Sequence, residues 1–421
     1  MITLKIAFRN ILRHKTRSSI TILTIIFGAT AIIFAGGFFE DIFFKMRESY
    51  IHSYTGHFQI FKKGYWEKGN SQPYEYLIDN PSEIITHLRA IGGIKSVTSR
   101  LQFSGLISTG ENTVSCIGMG IEPQNENSHN SDTKNLRDMS NHMTLGGPVI
   151  IEGQALDKDS PYTIMLGKGL ASSLGARVGD GLVVLTHTTG GSINALDVSL
   201  KGIFMTSSKE YDDHFLRLPL ASAQKLLQTE SAQSLVVMLN KTEDTAQVKK
   251  ALTALFKEKK LDLELKSWEE INDFYTNTVN LFNRLFLILK MVIVIIVVLS
   301  IFNTMNMAVL ERIDEIGTIM ALGTKRRGVL SLFMYEGLCL GLIGGILGII
   351  IGVSITLSIA RIGIAMPPPP GATMYWLSEP KIVVSALIFA FIVSIKTSLI
   401  SSLYPAYRAS RLEIADALRH K

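Results

Sequence analysis

The sequence predicts a membrane α-helical protein, with four transmembrane helices and a large α+β extracytoplasmic domain inserted between the first and second spans. Three observations carry this fold class. Charge-free runs at residues 18–39, 291–310 and 337–360 are 22, 20 and 24 residues long, each near the roughly 20 residues that cross about 30 Å of hydrocarbon. A fourth run, 382–407, is interrupted only by Lys396. Basic residues flank these runs: Lys5, Arg9, Arg13, Lys15 and Arg17 precede the first, Lys325, Arg326 and Arg327 follow the second, and Arg408, Arg411, Arg419 and Lys421 follow the fourth. The positive-inside rule then predicts that both termini and the segment between the second and third spans are cytoplasmic. Finally, about 220 residues of mixed pattern lie between the first two spans, enough for one or two soluble domains.

Composition sets the same frame. With 421 residues, 47% of them hydrophobic, and a mean hydropathy of +0.26, the chain is too apolar for an ordinary soluble enzyme and too polar to be wholly embedded. The net charge of +6 is read as topology and phospholipid contact, since no basic patch interleaved with aromatics points to nucleic acid. The first apolar run is too long for a cleaved signal sequence and predicts an uncleaved anchor. Cys116 is expected outside the membrane and Cys339 within the third span, so no disulfide framework is implied.

Taken in order, residues 1–17 predict a cytoplasmic amphipathic segment, with Leu4, Ala7, Phe8, Ile11 and Leu12 on one side. Residues 18–48 form the first span and a helical stalk, because Phe39, Ile42, Phe43 and Met46 keep helical spacing beyond the apolar run. Residues 49–266 form the extracytoplasmic domain. Within it a helix begins at Asn80 as cap with Pro81 in the first turn, and others cover 168–174, closed by Gly175, and about 244–259. Strands are expected at 104–108, 114–121, 149–152, 182–186, 199–205, 236–239 and 261–265. Residues 124–143 are polar and aperiodic and read as a long loop. Residues 267–310 are a second stalk and the second span, opened by a capping box at Ser267-Trp268-Glu269-Glu270. From Trp268 to Ile316 there is no Gly or Pro, so one uninterrupted rod of up to about 49 residues, near 70 Å, is predicted. Residues 311–327 are a cytoplasmic hinge, 328–360 the third span, 361–381 a short outer loop stiffened by the proline run 367–370, 382–407 the fourth span and 408–421 a cytoplasmic tail.

The hinge, ERIDEIGTIMALGTKRRGV, is the most informative stretch. As a helix it places Val309, Ile313, Ile316 and Met320 on one stripe and displays Glu311, Arg312, Asp314 and Glu315 off it. Thr324 is the expected cap of the next helix. In the third span, Gly337, Gly341 and Gly345 and, one face over, Gly344, Gly348 and Gly352 recur every four or so residues, a pattern that lets helix backbones approach closely. Glu336 and Lys396 are ionisable residues inside spans, where a charge is costly. Both lie about nine residues, near 13 Å, from the cytoplasmic ends expected for their helices, which predicts an intramembrane charge pair.

Catalytic and cofactor signals are missing from the sequence. Gly167-Lys168 lacks the earlier glycine of a phosphate-cradling loop, and there is no nucleophile elbow, HExxH or Cys-x-x-Cys. Asp212-Asp213-His214 is read as solvated loop and not as a metal site.

Several motifs resemble the MacB/FtsX superfamily of ABC transporter permeases, most closely the lipoprotein-releasing (LolC/LolE-type) permeases. They are AFRNILRHKTRS at residues 7–18, the hinge, the Gly-rich run 336–348, YPAYRASRLEIADAL at 404–418 and GHFQIFKKGYW at 56–66. The resemblance implies a dimeric exporter subunit of the bacterial inner membrane. It is not itself an enzyme and holds no cofactor; ATP and Mg belong to separate cytoplasmic ATPase subunits, and ATP-driven motion passes to the periplasmic domain. It assigns ATPase contact to Glu311, Arg312, Glu315 and Gly317 and turn roles to Leu322 and Gly323, and it makes Phe39, Ile42, Phe43 and Met46 candidates for contact with a lipidated substrate. Expected partners are a second permease copy or paralogue, membrane lipids, and a lipoprotein with its periplasmic carrier. Tripartite efflux through an adaptor and outer-membrane duct, or FtsX-like activation of an envelope hydrolase without transport, are the alternatives.

Overall fold

The computed structural model describes residues 2–69, 71–124, 148–206, 208–367 and 376–412. The expected loop beyond residue 124, the proline run beyond 367 and the tail beyond 412 lie outside them. The described chain divides into two compact units, residues 1–43, 278–364 and 378–421, and residues 44–277 and 365–377.

Among the described residues, four helices are long and apolar enough to cross a membrane: Lys15–Thr55, Asp273–Leu310, Arg326–Ile362 and Val384–Ser410. An N-terminal helix, Ile2–Arg13, precedes them. It buries Ala7 and Ile11, while Phe8 and Leu12, from the same expected apolar side, are half exposed. Ile11 joins Val309, Ile316, Val329 and Phe333 in one apolar cluster, so burial of aliphatic surface draws the N-terminal helix, the hinge and the start of the third span together.

The glycines of the third span face two different neighbours. An added Cβ at Gly341 would meet Ser398 Cβ at 3.0 Å and the Ser394 carbonyl at 3.1 Å, and one at Gly345 would meet Phe391 and Ser394, all on the fourth span. One at Gly348 would meet Ala29 Cβ at 2.7 Å and one at Gly344 would meet Ile25 Cβ at 2.8 Å, both on the first span. Ser398 Oγ donates to the Gly337 carbonyl at 2.6 Å across the third and fourth helices. Small residues thus admit backbone approach on both sides of one helix.

The second unit is mixed α/β, with ten strands among its described residues in one continuous sheet: β1 (Phe58–Lys62), β2 (Ile94–Ser108), β3 (Thr113–Ile121), β4 (Val149–Gly153), β5 (Thr163–Gly167), β6 (Gly181–His187), β7 (Ile193–Met205), β8 (Phe215–Pro219), β9 (Ser234–Leu239) and β10 (Leu263–Ser267). Their order is β10-β1-β9-β2-β3-β8-β5-β7-β4, and β6 pairs with both β2 and β7. The strands β2, β3, β8, β5, β7 and β6 therefore close on themselves around Leu101, Phe103, Ile164, Leu166, Val184 and Leu216. The other half, β10-β1-β9-β2, packs Phe58, Ile60, Val97 and Val237 with Ile85 and Leu88 of helix Pro81–Arg89 and with Val248, Leu252 and Phe256 of helix Thr245–Glu258. The fifteen-residue β2 serves both halves, pairing β9 through its first part and β3 and β6 through its last.

Two expected caps differ. Asn80 sits left-handed at φ 50° and makes no side-chain cap; Pro81, with no N–H to satisfy, starts the helix instead. The capping box at Ser267 is present, and Ser267 N–H donates to Glu270 Oε2 at 2.9 Å. Partial burial pushes the Glu270 carboxyl up, but hydrogen bonds from Lys249 and Ser267 outweigh it and hold the group at about 2, below its ordinary 4.5. A depressed carboxyl contributes its stability above the unfolded value and loses it as pH falls toward the folded one. Ser267→Ala is therefore expected to cost about 1 kcal/mol at neutral pH, and its deficit against wild type should shrink between pH 4.5 and 2 in denaturant unfolding.

Candidate functional site

The hinge is not the smooth continuation of the second span. That helix stops at Leu310, Arg312 takes φ −118° and ψ 19°, and a separate hinge helix runs Ile313–Ala321. The rod is broken a second time at Asn272, between helices Trp268–Ile271 and Asp273–Leu310. The uninterrupted piece is 38 residues, about 57 Å at 1.5 Å per residue. Beyond the hinge helix, Gly323 is left-handed at φ +96°, and its N–H donates to the Met320 carbonyl at 3.0 Å while Thr324 N–H donates to Ile319 at 3.2 Å. This is a glycine-terminated helix end. The third span then starts at Arg326 with Lys325, not Thr324, in the cap position and without a side-chain bond.

Charged side chains from four helices and the turns between them meet here. The Arg312 side chain, 4% exposed, donates from Nη1 to Glu336 Oε2 at 3.3 Å and from Nε to His14 Nε2 at 3.2 Å. A guanidinium only donates, so His14 Nε2 is an acceptor and its ring is neutral. Partial burial, then the charges of Arg312, Arg17 and Arg13, hold His14 below its ordinary 6.5. Arg17 reaches Glu336 Oε1 at 3.5 Å and Glu311 Oε2 at 3.1 Å. Arg13 donates to Glu315 at 2.6 Å, both well exposed. The Glu336 side chain is 2% exposed, where a charge is costly unless paired, and two guanidiniums converge on it to supply that pairing. The arrangement ties the turn before the hinge helix to the first and third spans, and the hinge helix itself to the N-terminal helix.

The expected intramembrane charge pair changes. Glu336 pairs with Arg312 and Arg17, not with Lys396. The fourth helix runs through Pro405 to Ser410, so Lys396 lies fourteen residues, about 21 Å, from that end rather than 13 Å. Gly337 instead faces Ser398 and Ser402. Arg312 and Gly317 are buried within the chain, whereas Glu311 and Glu315 keep exposed faces; Leu322, at 83%, is the most exposed large apolar residue of the hinge. Phe39 and Phe43 pack on Phe282 at 5.8 and 6.2 Å between ring centres, and Phe39 on Phe286 at 5.1 Å; Ile42 and Met46 are half buried. Asp212 is buried and accepts from Thr206 N–H and Oγ at 2.8 Å each, while Asp213 bonds Lys209 and His214 Nδ1 bonds the Glu210 carbonyl. The three side chains do not converge, and among the described residues no cluster suits a metal. Sequence reasoning took Arg13 and Arg17 as topology signals and did not single out His14; the clue to more was a lone carboxylate, Glu336, nine residues past Arg327, about two and a half helical turns into an apolar run.

Comparison with known proteins matches two modules. A MacB-like periplasmic core domain covers residues 18–255, and an FtsX-like permease C-terminal module covers 287–414. The lipoprotein-releasing system transmembrane protein LolC of Xylella fastidiosa is 26% identical over 290 residues, 63% of this chain, and the chain spans 66% of that relative's length. An uncharacterized ABC transporter permease of Methanocaldococcus jannaschii is 25% identical over 430 residues, covering 98% of this chain and 96% of its own. The periplasmic region of MacB from Actinobacillus actinomycetemcomitans has a TM-score of 0.35 at 15% identity, over 52% of this chain and 92% of that structure. With four spans, a mixed α/β domain between the first two, and one family module alone matching residues 18–255 of 421, the chain belongs to the MacB/FtsX superfamily of ABC transporter permeases.

Proposed function

We propose that the chain is the membrane subunit of an exporter, that its hinge receives a separate ATP-hydrolysing subunit on the cytoplasmic face, and that its cargo is lipid-anchored protein. The observation that carries the first part is the clamp. A hinge whose entry turn is tied through Arg312 and Arg17 to the third and first spans, and whose helix is tied through Arg13 to the N-terminal helix, passes a push on its outer face into the bundle instead of absorbing it. The basic flanks support a cytoplasmic hinge and cytoplasmic termini. The docking surface is then narrower than the motif suggests: Glu311, Asp314, Glu315 and Leu322 are exposed, while Arg312 and Gly317 serve from within. The LolC and LolE relatives, named as lipoprotein-releasing system transmembrane proteins, support lipoprotein release; a second permease subunit and a periplasmic carrier are the partners that this reading implies.

Leu322→Asp is the cleanest test, because the exposed side chain supports nothing in its own chain. Retention of the co-expressed ATPase subunit through purification is expected to fall about tenfold, the scale of one interface anchor, with the unfolding midpoint unchanged. Full retention would sink the docking assignment. For the cargo, mass spectrometry of the solubilised complex should find lipid-modified protein. An adaptor in its place indicates efflux, and an envelope hydrolase activator indicates signalling.

A further inference from the structure

The mixed α/β unit contains a cavity of about 500 Å³, within the roughly 300–1,000 Å³ range of small-molecule sites. We propose that it binds an amphiphilic organic cation, an aromatic or branched apolar body carrying one ammonium group.

The walls are aromatic. Tyr211 and Phe215 stack with ring centres 4.0 Å apart, and Tyr54 stands edge-on to them at 5.4 and 6.1 Å; Ile117 of β3 adds aliphatic surface. Tyr54 lies in a π-helical turn, Ile51–Thr55, a conformation frequent at functional sites. Two buried arginines hold that turn from behind. Arg217 Nη2 donates to the Ser53 carbonyl at 3.0 Å and its Nε to Tyr211 Oη at 3.1 Å, while Arg100 donates to the Tyr54 carbonyl. At 3% and 8% exposure, neither guanidinium reaches the cavity. The rings are therefore fixed before any ligand arrives, which lowers the entropy lost on binding.

The charge presented inward is of one sign. Among the described residues lining the cavity there is no Lys or Arg, and Glu210 supplies the single carboxylate. Glu210 sits on the helix Lys209–His214, which Ser208 caps by accepting from Tyr211 N–H at 3.3 Å. His214, which also lines the cavity, donates from Nδ1–H to the Glu210 carbonyl at 3.0 Å. Tyr211 and Phe215 cover each other's faces and Arg217 lies over the Tyr211 ring at 5.5 Å, so the preference for a cation over an anion of the same body rests on the Glu210 carboxylate in a lining without Lys or Arg.

Equilibrium dialysis of the full chain in phosphatidylcholine nanodiscs, with empty nanodiscs subtracted, tests this with two matched probes, phenylpropyltrimethylammonium and 4-phenylbutanoate. The ammonium probe is expected to bind saturably, one per chain, about tenfold more tightly than the carboxylate. Glu210→Gln should abolish that preference and Glu210→Lys should reverse it; the residue is exposed, and circular dichroism checks that both variants fold. Absence of saturable binding above empty discs, equal affinity for the two probes, or an undiminished preference in Glu210→Gln would each overturn the proposal.

Discussion

Arg312→Ala is expected to destabilise the membrane bundle by roughly 3–5 kcal/mol, because it strands a buried carboxylate. Glu336 would keep only Arg17 at 3.5 Å, and His14 would lose the donor at its Nε2. The exposed pair Arg13 with Glu315, at 62% and 45% side-chain exposure, supplies the internal contrast, since Arg13→Ala should cost less than about 1 kcal/mol. Replacing both buried partners, Arg312→Met with Glu336→Leu, should recover most of the loss, because the desolvation of two charges goes with them. Denaturant unfolding in detergent micelles gives the ranking. If Arg312→Ala and Arg13→Ala prove equal, the buried pair is not what holds the hinge. ATPase retention adds a second reading: the stable but uncharged double variant keeps the bundle, so any fall in coupling there belongs to hinge geometry and not to unfolding.

The same residues show where sequence reasoning reached and where it stopped. The spans were legible because bilayer thickness demands long charge-free runs, and a run such as 337–360 is longer than a buried helix of a soluble core requires. Helix 168–174 was legible through Gly175, whose φ of +67° is what a glycine at a helix end provides. Strands β1, β5 and β8 were not, since FQIFK, TIMLG and FLRLP are buried almost throughout and show no alternation to betray a strand. Glu336 stood out as a misplaced charge, yet its partner lay in a segment read as exposed. The break at Glu311 and Arg312 contains neither Gly nor Pro. It forms where the Arg312 guanidinium bonds Glu336 twenty-four residues on, a tertiary requirement that local propensity does not encode. For the same reason the two glycine runs announced close packing without saying against which helix.

That last ambiguity yields the second large effect. Gly337→Val and Gly348→Val should each destabilise the bundle by roughly 1–3 kcal/mol or more, the usual cost of forcing bulk into a packed contact. Val and Gly differ by only a few tenths of a kcal/mol in helix propensity, so the clash decides the sign. At Gly337 the new Cβ would overlap Ser402 Oγ and lie 2.9 Å from Ser402 Cβ; at Gly348 it would lie 2.7 Å from Ala29 Cβ. Rescue should therefore be specific. Ser402→Gly should restore part of the stability of Gly337→Val and leave Gly348→Val unimproved, and Ala29→Gly should do the reverse. Crossed rescue, or none, would mean that the two glycine faces do not address separate helices. The distinction bears on coupling, because the third span starts at the clamp and carries Glu336. A wedge on its fourth-span face at Gly337, one residue from that carboxylate, should also displace the hinge and lower ATPase retention. A wedge at Gly348, about 16 Å further along the helix, should weaken packing while sparing the hinge.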